Sequence, residues 1–87
     1  LQVVKVSFNI NPPNSGDIQC NGQQILPNSY FLYKNGTNLI CTANPETGYK
    51  FSSWSNMLYS LSNPLSFNLS QYGGTLTANF KETLSFG

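Results

Sequence analysis

Apolar and polar residues alternate with a period of two along almost the whole chain. Over residues 2–10 the set Val4, Val6, Phe8 and Ile10 interleaves with Lys5, Ser7 and Asn9, which predicts a strand with one buried face. The stretch 11–16 breaks it, because its consecutive prolines cannot donate to a ladder. Residues 17–20 read as a short strand that Asn21-Gly22 turns back toward residues 23–26; Asn-Gly suits a type I′ turn, whose two central residues both take positive φ. A second such pair, Asn35-Gly36, stands between residues 30–34 and 37–43 and predicts a second hairpin. Leu39, Cys41 and Ala43 share one face of the strand that follows. Phe51 and Trp54 lie three apart rather than two, which places a bulge or bend at Ser52 and Ser53. Residues 55–63 are irregular, with room for one helical turn but not a full helix. Leu65, Phe67 and Leu69, then Leu76, Ala78 and Phe80, give two further strands. The pattern predicts a mostly β, small single-domain antiparallel sheet fold, β-grasp-like or a small sandwich. Residues 1–80 form the domain, and 81–87 a C-terminal tail or extra edge strand.

At 87 residues the chain is near the size at which burial barely outweighs chain entropy, so each large side chain matters. Aromatics make up 14% and charged residues 8%, a balance that favours folding over disorder. Lys5, Lys34, Lys50 and Lys81 are scattered and the net charge is +1, so nucleic acid is a poor partner. No apolar run approaches the roughly 18 residues of a transmembrane helix. With Leu1 first, the sequence reads as a processed chain or an excerpt from a longer one. Cys20 and Cys41 are too few for a zinc site in a chain without His, and no other cofactor is indicated. A disulfide is the expectation and two reduced core thiols the alternative; closing that loop restricts the unfolded chain by about 3 kcal/mol. Asn35, in Asn-Gly-Thr, and Asn68, in Asn-Leu-Ser, match glycosylation acceptors.

Several residues together carry a resemblance. Gly48-Tyr49-Lys50-Phe51 followed by Trp54, then Asn63-Pro64-Leu65, then Leu76-Thr77-Ala78-Asn79-Phe80, with Ala43 and Pro45 ahead of them, resemble the pattern of the divergent internalin B-repeat-like domains. The likeness extends from about Val3 to Phe80. It implies a small β-rich module of secreted or cell-surface proteins, without catalytic residues, in which Gly48, Tyr49, Phe51, Trp54 and Phe80 are core motif positions. The two cysteines, the long segment before the third strand and the tail after Phe80 depart from that pattern, and added strands and tails are where new contacts arise.

Catalysis is not expected. The commonest general base is missing, and the carboxylates Asp17, Glu46 and Glu82 are far apart in sequence. Two functional readings stand. In the first, the domain is an extracellular structural module or subunit of a cell-surface or filament assembly, contacting itself or neighbouring domains through edge strands, with Val3, Val4, Leu84 and Phe86 as candidate contacts. In the second, it is an adhesion module that binds a glycan or a host or matrix protein through loops bearing Tyr30, Tyr33, Tyr49, Tyr59 and Tyr72.

Overall fold

The structure is a computed structural model that describes residues 3–69 and 73–83. Its elements, in chain order, are β1 (Val3–Asn11), β2 (Gly16–Cys20), β3 (Gln23–Ile25), β4 (Tyr30–Lys34), β5 (Asn38–Pro45), β6 (Tyr49–Asn56), β7 (Leu65–Asn68) and β8 (Gly74–Glu82). They form two four-stranded sheets, ordered β4-β1-β8-β6 and β3-β2-β5-β7. Of the two expected architectures the sandwich is the one adopted. There is no helix among the described residues, so neither a β-grasp helix nor a helical turn occurs between residues 55 and 63. Pairing is antiparallel except between β1 and β8, which run parallel in the register Phe8 to Leu76 and Ile10 to Ala78.

The two inner faces are the alternating apolar sets of the sequence. Val4, Val6, Phe8 and Ile10 from β1 and Leu76, Ala78 and Phe80 from β8 meet Ile18, Ile25, Leu39, Ala43 and Leu65 from the facing sheet, all of them buried. The bulge falls on Ser52, since Phe51 pairs with Phe80 while Ser53 pairs with the adjacent Asn79. The extra residue turns Phe51 and Trp54 to the same side. Trp54 is fully enclosed, its ring 5.5 Å from that of Phe51, which in turn meets Phe80 edge-on at 6.3 Å. Gly16 is required by close approach: a Cβ there would stand 2.5 Å from the Asn44 carbonyl oxygen and 2.6 Å from the Phe80 ring.

Cys20 and Cys41 lie directly opposite each other on β2 and β5 and are joined by a disulfide, with Cα atoms 4.1 Å apart. Both cysteines are buried, so the bond stands among the apolar side chains of this sheet as a covalent cross-strand pair. On the outer face of the first sheet, short polar side chains tie the strands together. Asn79 donates to Ser55 Oγ at 2.9 Å and to Ser53 Oγ at 3.3 Å, and it accepts from Asn11 at 3.2 Å.

The second expected hairpin does not form. At Asn21-Gly22 both residues take positive φ, 50° and 81°, and β2 and β3 pair as neighbours in one sheet. At Asn35-Gly36 only the glycine does, at 92°, and the turn closes through Thr37 N–H to Lys34 O at 3.1 Å. A positive φ at the third turn position alone is the type II arrangement, whose twist opposes that of a hairpin and splays the strands it joins. β4 therefore pairs with β1 while β5 joins the other sheet. The same device recurs at Gly48, φ 91°, where Tyr49 N–H donates to Glu46 O and the chain passes from β5 to β6.

Candidate assembly edge

Two open sheets have four edges, and an edge strand carries N–H and C=O groups that nothing in its own sheet satisfies. Three of these edges are blunted. β3 has three residues, two of them exposed glutamines, and β7 has four. β6 is capped at Trp54 by the segment that follows it and carries an exposed charge, Lys50, nearer its start. Trp54 N–H donates to Ser60 O at 2.8 Å, Ser60 N–H donates back at 3.2 Å, and the Trp54 indole Nε1–H reaches Ser62 O at 2.8 Å.

β4 is the exception. It has five residues, no proline, and a charge only at its last position. Phe31 and Tyr33 turn inward onto the core, with Phe31 edge-on to Phe8 at 6.2 Å. Burial pushes the Tyr33 phenol above its ordinary value. Phe8 N–H donates to Ser29 O at 2.8 Å. Because directly opposed residues in an antiparallel ladder alternate between bonded and non-bonded pairs, Phe31 and Tyr33 aim their backbone groups at β1. Tyr30 and Leu32 aim theirs away from it, as does the N–H of Lys34; the Lys34 carbonyl is held in the turn by Thr37. Tyr30 and Leu32 are 58% and 60% exposed, and Val3, opposite Lys34, is 63% exposed. Lys5 Nζ sits 4.5 Å from the Tyr30 ring centroid, a cation–π contact that holds this ring on the outer face.

The expected assembly residues are thus only partly in place. Val3 is exposed beside the open edge, but Val4 is 3% exposed and packs in the core, because neighbours in a strand point to opposite faces. Leu84 and Phe86 lie outside the described residues, as does Tyr72. The other tyrosines do not gather. Tyr30 stands on the β4 edge, Tyr59 beside the β6 edge at the opposite side of the same sheet, and Tyr33 and Tyr49 are half-buried. The carboxylates are equally dispersed, with Asp17 on β2 accepting from Gln24 at 3.1 Å, Glu46 after β5 and Glu82 at the end of β8. A cleft of about 750 Å³ beside Asn56, Met57, Phe67 and Gly74 is lined by none of them. Glu46 alone among them borders a second cleft, of about 560 Å³, together with Asn14, Pro27 and Tyr49.

The motif residues now have physical roles. Gly48 supplies the left-handed turn position, Trp54 fills the centre and anchors the β6 cover, and Phe80 packs over Gly16. Asn63, noted in the sequence only as half of an Asn-Pro pair, acts as a strand substitute. Its Oδ1 accepts from Ala43 N–H and its Nδ2 donates to Ala43 O, both at 2.8 Å, where β7 does not reach along β5. The pattern of the divergent InlB B-repeat domain matches residues 6–84, nearly the whole chain. The chain belongs to the divergent InlB B-repeat domain family. The match covers both sheets of this B-repeat domain, including all of β8 through Glu82. No curated protein and no solved structure matches the chain.

Proposed function

We propose that this B-repeat domain is a non-catalytic structural module of an extracellular surface assembly, and that it meets a second copy of itself by strand addition along β4. The observation that carries the reading is the β4 edge, the one edge left unblunted among the described residues, with outward N–H and C=O groups flanked by exposed Tyr30 and Leu32. Family membership supports a surface-protein module, and the disulfide supports an oxidising location outside the cell.

The sequence of β4 suits its own antiparallel partner. Centred on Leu32, the pairing sets Leu32 against Leu32, Phe31 against Tyr33, and Lys34 against Tyr30 of the other copy. The outward groups then form reciprocal bonds at Leu32 and from each Lys34 N–H to the opposing Tyr30 carbonyl. No like charges oppose one another, and each Lys34 gains an aromatic face. Two four-stranded sheets become one of eight strands, related by a two-fold axis as in most homodimers.

Sedimentation velocity of the wild-type chain beside Leu32→Pro and Leu32→Lys tests this. Proline at 32 removes an outward N–H without touching the β1 ladder, so the variant keeps its fold and loses association. A wild-type chain that stays monomeric at millimolar concentration, or a folded Leu32→Pro variant that associates as the wild type does, overturns the proposal.

A further inference from the structure

The two glycosylation triplets, whose asparagines are 33 residues apart in sequence, are neighbours in the fold and occupy opposite situations. Asn68 Nδ2 donates to Gly36 O at 2.9 Å, inside the other triplet. The backbone around it is pinned as well: Leu69 N–H donates to Thr37 O at 2.8 Å, Gly36 N–H donates to Leu69 O at 2.6 Å, and Leu69 is buried. Asn68 thus serves as a clamp on the turn that carries the chain between the sheets. Asn35 is the exposed tip of that turn, and its side chain forms no hydrogen bond among the described residues. The turn beneath it is closed by Thr37, whose N–H and Oγ1 both donate to Lys34 O, at 3.1 and 2.7 Å.

We infer that Asn35 carries an N-linked glycan and that Asn68 does not. Transfer requires the amide nitrogen to be free to bond to a sugar carbon, and of the two only the Asn35 amide is unbonded among the described residues. In the step, Nδ2 of Asn35 bonds to the anomeric carbon of a sugar carried on a lipid-linked phosphate. The bond from that carbon to the phosphate oxygen breaks, its electron pair leaves with the lipid phosphate, and one amide proton passes to solvent. Nothing is oxidised or reduced. The glycan class is any whose donor is a lipid-phosphate-linked saccharide.

Tryptic peptide mapping by mass spectrometry of the chain from its natural source decides the matter. Cleavage after Lys34, Lys50 and Lys81 places Asn35 in peptide 35–50 and Asn68 in peptide 51–81, so the two sites are read separately. The expected result is a saccharide mass on 35–50 that disappears in Thr37→Ala made in the same host, with 51–81 unmodified. An unmodified 35–50 peptide, or a saccharide on 51–81, overturns the inference.

Discussion

Replacing Trp54 by alanine removes the largest buried side chain of the domain. The indole is wholly enclosed, and truncation to a methyl group takes roughly 150–200 Å² of apolar surface out of the core, worth about 4–5 kcal/mol at 25 cal/mol per Å². The hydrogen bond to the Ser62 carbonyl adds little, because Ser62 is exposed and its oxygen returns to water. Partial collapse of Phe51 and Phe80 into the space lowers the cost and the residual cavity raises it, leaving the estimate at about 4–5 kcal/mol. A domain of this length has a total stability on the order of 4–13 kcal/mol, so the variant loses about 30% of it or more. Thermal unfolding followed by circular dichroism should show a fall in Tm of about 20–40 °C, or no cooperative transition. Tyr59→Ala, at a 72% exposed ring, serves as the control and should leave Tm nearly unchanged. A Trp54→Ala variant whose Tm falls by less than about 5 °C would refute the reasoning, since no enclosed tryptophan is removed so cheaply.

Three further outcomes are expected. Replacing Cys20 and Cys41 together by alanine should cost about 3 kcal/mol in urea unfolding, mainly by freeing the unfolded chain across the 21-residue separation; an unchanged midpoint would contradict this. Asn63→Ala should cost about 2 kcal/mol in the same assay, because it leaves the Ala43 N–H and C=O without their partner. The raised Tyr33 phenol gives stability that is complete below the unfolded value of 10.0 and is lost as pH rises through the folded value. Tm should therefore fall above about pH 10, and Tyr33→Phe should flatten that fall.

The elements were legible because the sandwich uses strict alternation. Val4 to Ile10 and Leu76 to Phe80 declare their buried faces, and the three-residue step from Phe51 to Trp54 declares the bulge. What the sequence could not convey is long-range. Two Asn-Gly pairs look alike in one dimension, yet only Asn21 adopts the left-handed conformation; at Asn35 the need to reach the other sheet selects a different turn. Strand order has the same character. Nothing local to residues 30–34 indicates that they pair with β1 and end a sheet, whereas the terminal segments carry the apolar alternation that suggests an edge. Asn63 was visible as part of a motif, but its role depends on Ala43, which its own neighbourhood does not reveal.

Amide hydrogen exchange measured by NMR as a function of protein concentration tests the assembly account most directly. In a β4 to β4 pairing the Leu32 N–H passes from water into a hydrogen bond, whereas the Phe31 and Tyr33 N–H groups face β1 at every concentration. The account predicts that Leu32 exchange slows by on the order of tenfold or more as copies associate, while Phe31 and Tyr33 stay protected throughout. A Leu32 amide that exchanges freely at all concentrations would contradict it.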